Sequence, residues 1–201
     1  MARARGGPPV KSSTSSPESG WTNTRLVEEC VRGNERAWYA IVNRYKNLVY
    51  SIALSYGADA EDAADIFQLV WLDLFNELPR LREPEALQGW LKRVAIHKAY
   101  QWKRRRVSSD GETADDDGEI PSDGELTPET MQNIEREQMV REAVATLSPR
   151  CREMVELLFF KQPPLPYAEV AARLGLATGS IGFIRGRCLK QLKTILKSKG
   201  F

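Results

Sequence analysis

The chain has 201 residues, of which 42% are hydrophobic and 28% are charged, the composition of a globular protein with one or two domains. Its formal net charge at pH 7 is only +2, so a site for a charged partner must arise from local segregation of charge. No apolar run approaches the roughly 20 residues that a membrane-spanning helix needs, and we expect no membrane insertion.

Residues 1–23 are predicted to form a disordered tail. The stretch MARARGGPPVKSSTSSPESG is polar and rich in Pro, Ser and Gly, so it buries too little apolar surface to fold. It also lacks the apolar central segment of a signal peptide.

Residues 24–106 are predicted to form the first of two helical domains. Apolar side chains recur at three- and four-residue steps from Trp38 to Tyr56, the period of a helix with one buried face. Asp59 is predicted to cap the second major helix, and Pro84 to lie in the first turn of the third.

The second major helix carries a mixed polar and apolar face opposite its core-facing stripe. Carboxylates, an amide and leucines on one exposed face suit docking against another helix. From the residues alone, a solvated outer face is the simpler interpretation. The residues of this face are Asp62, Asp65, Gln68, Leu69 and Leu72.

The third helix carries basic residues interleaved with rings on the side away from its core, whereas Trp102 is predicted to lie in the core. Unstacked, single-stranded DNA requires phosphate neutralisation and flat surfaces for its bases. Because His97 is the only histidine, no metal site is predicted. The residues of this face are Arg93, Ile96, His97, Tyr100, Lys103 and Arg104.

Residues 107–127 are predicted to be a flexible acidic linker. The chain has no Lys or Arg between Arg106 and Arg136, and the segment is nearly free of apolar side chains. Its carboxylates stand at Asp110, Glu112, Asp115, Asp116, Asp117, Glu119, Asp123 and Glu125.

Residues 128–201 are predicted to form a second helical domain, which makes the chain an all-α protein of two small domains. A short helix from Tyr167 to Leu174 is ended by Gly175, and a basic helix follows, which is the helix-turn-helix pattern. Glycines at 182 and 186 each cost helix propensity, which close approach to another backbone would offset, and a DNA groove is the obvious candidate.

The basic helix has six Lys or Arg residues and no acid from Arg185 to Lys199. A helical hairpin with a merely solvated basic face is the alternative to nucleic-acid binding, but solvated faces ordinarily mix both signs of charge. The residues predicted to contact duplex DNA are Ser180, Phe183, Arg185, Arg187 and Lys190.

The three cysteines, Cys30, Cys151 and Cys188, lie far apart in the sequence and form no CxxC motif. We therefore expect free, buried thiols and a reducing, cytoplasmic location.

Two separate stretches of the chain resemble one family. AADIFQLVWLDLF and LREPEALQGWLKRVAIHKAYQWKRRR are similar to region 2 of the small extracytoplasmic-function (ECF) class of sigma factors of bacterial RNA polymerase. Asp65 and Gln68 stand where that family has Asp-x-x-Gln. LSPRCREMVELLFF and YAEVAARLGLATGSIGFIRGRCLKQL resemble its region 4.

The resemblance implies core RNA polymerase and promoter DNA as partners. It implies that the second helix docks on the clamp coiled coil of the largest polymerase subunit, that the third captures the melted −10 strand, and that the last contacts the −35 duplex. His97 stands where the family commonly has Asn, and Gly182 and Ile184 where it often has basic residues. Whether an anti-sigma factor holds the chain stays open.

The resemblance also suggests one role for the linker, which is to thread the polymerase cleft with its carboxylates in place of nucleic-acid phosphates. Charge attraction suggests another, in which the linker folds back on the basic helices of the free chain.

Two rival functions are a helix-turn-helix regulator that is not a polymerase subunit and a helix-turn-helix recombinase. The regulator requires an effector pocket in residues 24–106, where the sequence instead places a basic-aromatic helix. The recombinase requires a nucleophile and a base, and no such spacing is present. We expect no enzymatic activity and no cofactor.

Overall fold

The computed structural model describes residues 17–107 and 126–201, and within these ranges the chain is helical with no strand. This confirms the all-α class. The α-helices are α1 (Asn23–Val31), α2 (Glu35–Ser55), α3 (Ala60–Glu77), α4 (Leu87–Val107), α5 (Pro128–Ala145), α6 (Pro149–Val155), α7 (Tyr167–Leu174) and α8 (Ile181–Ser198).

Local sequence signals fix several helix ends. The Asp59 carboxylate accepts hydrogen bonds from the backbone N–H groups of Glu61 and Asp62, which confirms the predicted cap. These bonds hold the pKa of Asp59 below its usual range, the bond from Asp62 contributing most. Gly175 ends α7 in the left-handed conformation, with φ of 63°. Pro84 instead lies in a 3-10 turn, Pro84–Ala86, that leads into α4.

Helices α1 to α4 pack around one core. Its fully buried side chains come from all four helices, and an aromatic row at one end joins α2 to α3. There, Trp38 meets Trp71 edge-on at 6.1 Å between ring centroids, and Phe67 meets Trp71 at 5.6 Å. The largest buried residues of this core are Leu26, Ile41, Tyr45, Leu48, Ile52, Ile66, Leu74, Leu87 and Leu91.

Helices α5 to α8 form a second core. Met154 of α6, Val170 of α7 and Ile181 of α8 are fully buried there. This core packs the short helix pair α7–α8 against α6, so that one side of α8 is buried and the other faces outward.

The expectation of three free thiols is wrong. Cys151 of α6 and Cys188 of α8 form a disulfide, with 5.3 Å between their Cα atoms, and only Cys30 is free. The two residues are 37 positions apart, and their proximity results from the crossing of α6 and α8. Cysteine spacing therefore gives no support for a reducing compartment.

Helix α5 contacts both cores. Ile134 is buried in the first core, Lys92 pairs with Glu135 at 2.6 Å, and the Gln138 side-chain amide donates to the backbone carbonyl of Arg44 at 3.2 Å. Ala143, at the other end of α5, is buried in the second core. The predicted domain boundary at residue 128 thus precedes a helix, α5, that packs against both the first and the second core.

The predicted tail extends too far into the chain. Residues 17–20 form a 3-10 turn, and Trp21 packs on the first core beneath the Arg25 guanidinium, 4.0 Å from the ring centroid. Residues 1–16 and 108–125, which include all eight linker carboxylates, lie outside the described residues. Leu126, just beyond the linker acids, packs against the first core.

Candidate nucleic-acid interface

The outward side of α8 combines one large ring with basic side chains. Phe183 is 80% exposed, and Arg187 and Lys190 are exposed one and two turns later on the same side. Neither basic group forms an ion pair among the described salt bridges. A positive face with no internal counter-charge attracts a polyanion. The structure therefore brings three of the five predicted duplex contacts onto one face.

Arg185 does not belong to this outward face. Its guanidinium lies over the Tyr167 ring of α7, 5.8 Å from the centroid, and donates a hydrogen bond to the Tyr167 hydroxyl. Position 185 borders the packed side of the helix because it lies four residues after buried Ile181 and three before buried Cys188. In the structure this side chain joins α7 to α8, and its contact with duplex DNA stays a prediction.

Ser180 precedes the first residue of α8. Its hydroxyl donates to the Ala177 carbonyl at 2.7 Å, which closes the 3-10 turn Thr178–Ser180 ahead of the helix. The side chain is half-buried. Its backbone N–H is also bonded to Ala177.

The glycines of α8 have no partner inside the described part of the chain. A Cβ atom added at Gly182 or Gly186 would meet no heavy atom within 4 Å, and neither residue has the positive φ that favours glycine. Neither packing nor backbone geometry in the free chain therefore requires these glycines. The bare helix surface they leave lies beside Phe183 and Arg187.

The basic-aromatic side of α4 lies in the first half of the chain. Arg93 and Lys103 are exposed, and His97 and Arg104 are half-buried. The His97 ring lies 3.4 Å from the Gln101 side-chain amide, which is one turn further along.

Two predicted members of the α4 face contribute to packing as well. Ile96 and Tyr100 lie partly buried against the first core, so each is only partly accessible to a partner. Trp102, predicted as a core residue, also packs against that core, and the Arg106 guanidinium lies 5.5 Å from its ring centroid.

The outer face of α3 is mixed in polarity, as predicted. Asp65 and Gln68 are exposed, and Leu69 and Leu72 are 46% and 56% exposed. These four residues recur at three- and four-residue spacing, so they form one continuous stripe on the helix.

Asp62, the fifth predicted member of the α3 face, is already paired. Its carboxylate accepts a hydrogen bond from the Arg106 guanidinium at 2.6 Å, at the end of α4. This ion pair joins α3 to the basic end of α4, and it makes the Asp62 carboxylate less available to a partner than that of Asp65.

The sequence interpretation missed Phe75 in this stripe. Phe75 is 65% exposed and lies one turn beyond Leu72, and the edge of its ring contacts Trp38 at 5.7 Å between centroids. The three-residue step from Leu72 was visible in the sequence. Phe75 extends the apolar part of the α3 stripe by a turn.

Other kinds of site are not supported by the described residues. In ranges 17–107 and 126–201, no group of three or more His, Cys, Asp or Glu side chains is placed to hold a metal ion. No helix in those ranges is long and apolar enough to cross a membrane.

Comparison with known proteins bears on both halves of the chain. Residues 41–109 match the family model Sigma-70 region 2, a segment that contains the α3 stripe and the α4 face. The RNA polymerase sigma-H factor of Pseudomonas aeruginosa is 24% identical over 181 residues, covering 87% of this chain and 92% of the relative. The ECF RNA polymerase sigma-E factor of Escherichia coli K12 is 27% identical over 169 residues, covering 80% and 86%.

Together these matches support an ECF-class sigma factor. A solved structure of CnrH in complex with the cytosolic domain of CnrY is also similar, at 20% identity and a TM-score of 0.38 over 88% of this chain and 97% of that one. The region 2 match ends near the last residue of α4. The α8 face lies outside that match and within the second core.

Proposed function

We propose that this sigma factor binds core RNA polymerase and directs promoter recognition, strand opening and the initiation of transcription. The observation that supports this most strongly is the presence of two separate basic faces in one chain, one on α4 and one on α8, each presented by its own packed core. A regulator with one helix-turn-helix needs only the second of these faces. A factor that contacts two promoter elements needs both.

The α3 stripe is the proposed polymerase contact. Leucines and a phenylalanine in the centre of a docking surface supply burial, and Asp65 and Gln68 supply hydrogen bonds that fix its register. By resemblance to the family, the partner is the clamp coiled coil of the largest subunit. We include Phe75 in this contact because it continues the same stripe.

The α4 face is the proposed site for the opened −10 strand. Arg93 and Lys103 are exposed and suit phosphate contacts. The Tyr100 ring packs against the first core, and the half-buried His97 ring lies beside Gln101. Stacking a base on these rings would therefore immobilise few further side-chain torsions. Because Gln101 lies beside His97, we assign the pair together to base contact.

The α8 face is the proposed site for the −35 duplex. Arg187 and Lys190 would neutralise phosphates, while Gly182 and Gly186 would let the helix approach the groove closely. Arg185 contributes indirectly, because its contact with Tyr167 fixes the angle between α7 and α8. We place the protein in the cytoplasm with the polymerase and assign it no catalytic step of its own.

Core-enzyme capture tests this function. The tagged chain is mixed with bacterial core polymerase, and the complex is separated by gel filtration and then titrated with a promoter duplex. We expect a stable holoenzyme, and tight promoter binding only in its presence. Tight, sequence-specific duplex binding by the chain alone, without polymerase capture, would instead identify a conventional helix-turn-helix regulator.

A further inference from the structure

The most exposed large apolar side chain among the described residues is that of Phe183, two residues after α8 begins at Ile181. A ring that is 80% exposed contributes little to the stability of the free chain. The packed side of α8 is formed instead by Ile181, Cys188 and Leu192. Folding therefore does not explain a phenylalanine at this position.

The surroundings of Phe183 indicate what covers it. Arg187 is exposed one turn away and Lys190 two turns away, so the ring lies within a positive face. An apolar protein partner would have to bury these charges, whereas a DNA duplex neutralises them through its phosphates. The occupant that suits both the ring and the charges is therefore a DNA groove.

Within the major groove, one base carries an apolar group that a ring can contact. Thymine presents its 5-methyl group there, whereas the other three bases present only hydrogen-bonding groups in the corresponding position or an unsubstituted carbon. A phenylalanine has no donor or acceptor, so it distinguishes bases only through this methyl group. Gly182 and Gly186 leave open space beside the ring, so no neighbouring side chain on α8 keeps it from the base.

We infer that Phe183 is a specificity-determining residue that packs against the 5-methyl group of a thymine in the −35 duplex and so selects a T·A pair at that position. This inference rests on the proposed function and deepens it, because it assigns a base to one residue of the −35 site. The other contacts proposed for α8, from Arg187 and Lys190, are to phosphates, which carry no sequence information by themselves.

Replacement of thymine by deoxyuridine tests the inference, because it removes the methyl group and retains every hydrogen-bonding group. A promoter selected by the holoenzyme is synthesised with each −35 thymine replaced in turn, on either strand. We expect one replacement to weaken binding about fourfold, the factor that burial of one methyl group predicts. Phe183→Ala should bind the thymine and deoxyuridine promoters equally.

Two variants serve as controls. Phe159→Ala removes another exposed ring from the same half of the chain and should retain the preference for thymine. Phe183→Leu keeps an apolar side chain and should retain part of it. Since Phe183 is exposed, its replacement should leave the melting temperature unchanged, so loss of selectivity is separable from loss of folding.

Any one of four results would overturn the inference, three of them on promoter binding. These three are a selected −35 element without thymine, equal binding of all deoxyuridine promoters by the unmodified chain, and a preference for thymine that survives in Phe183→Ala. Loss of polymerase capture in Phe183→Ala would also refute it, because the ring would then dock on protein. The proposed function fails separately if scrambling the whole −35 element leaves holoenzyme binding unchanged.

Discussion

The glycine at position 186 provides a test in which stability and DNA binding should change in opposite directions. Gly186 lies in the interior of α8 with an ordinary helical φ and with nothing within 4 Å of an added Cβ. Replacing it by Ala removes a helix-propensity penalty of about 1 kcal/mol at no steric cost in the free chain. For a chain of this size we expect a rise in melting temperature of about 2–4 °C.

The same methyl group should weaken binding to the −35 duplex. It would occupy the bare helix surface beside Phe183 and Arg187, where the groove must approach most closely. A displacement that costs about 1.4 kcal/mol corresponds to a tenfold loss of affinity. We therefore expect a variant that is more stable and about tenfold weaker on a −35 duplex, measured by calorimetry and by holoenzyme titration against a scrambled duplex.

Gly89→Ala is the matched control for this experiment. Gly89 is also exposed, lies in α4 and has nothing within 4 Å of an added Cβ, so its replacement should leave the discrimination between matched and scrambled −35 duplexes unchanged. Full −35 affinity in the stabilised Gly186→Ala variant would refute the reasoning, because the bare surface would then face only solvent.

Three further outcomes are expected. Asp65→Lys with Gln68→Ala should abolish holoenzyme formation in a pull-down while leaving helicity unchanged. Arg187→Ala with Lys190→Ala should reduce the salt dependence of −35 binding by about two units of slope. Burial raises the pKa of the Cys30 thiol to about 11, so alkylation by iodoacetamide should be slow at pH 8 and accelerate toward pH 11. Since the unfolded thiol ionises first, stability should fall between about pH 9 and 11, and Cys30→Ser should reduce that fall.

Each of these outcomes has a control and a contradicting result. For the docking variant, the control is Glu28→Lys, which reverses an exposed charge on α1 and should still capture polymerase. Capture of polymerase by Asp65→Lys with Gln68→Ala would exclude the α3 stripe as the polymerase contact. For the α8 variant, the control is Arg150→Ala with Lys161→Ala, which removes two exposed charges elsewhere in the second half of the chain. It should leave the salt dependence of −35 binding unchanged. An unchanged salt dependence in Arg187→Ala with Lys190→Ala would exclude phosphate contacts by these two residues. Rapid alkylation of Cys30 at pH 8 would contradict its burial.

Features that depend on local sequence were predictable. The cap at Asp59 and the left-handed Gly175 require only a few neighbouring residues, and both are present. The apolar period of α2 predicted its buried face because period and burial are linked along a single helix. The mixed stripe on α3 was visible for the same reason, although its extension to Phe75 was overlooked.

Features that depend on packing between helices were not predictable from those signals. Arg185 falls at a helical position that borders the buried side, and only the position of Tyr167 on α7 shows where its guanidinium lies. The pairing of Cys151 with Cys188 requires the crossing of α6 and α8. Pro128 predicts where α5 begins, but it does not predict that Ile134 of this helix is buried in the first core.

Run-off transcription with purified core polymerase on a library of randomised promoters tests the central claim most directly. The account predicts that core enzyme with this chain starts transcription from promoters sharing a −35 and a −10 element, whereas core enzyme alone does not. The same start sites and yields with and without the chain would contradict it.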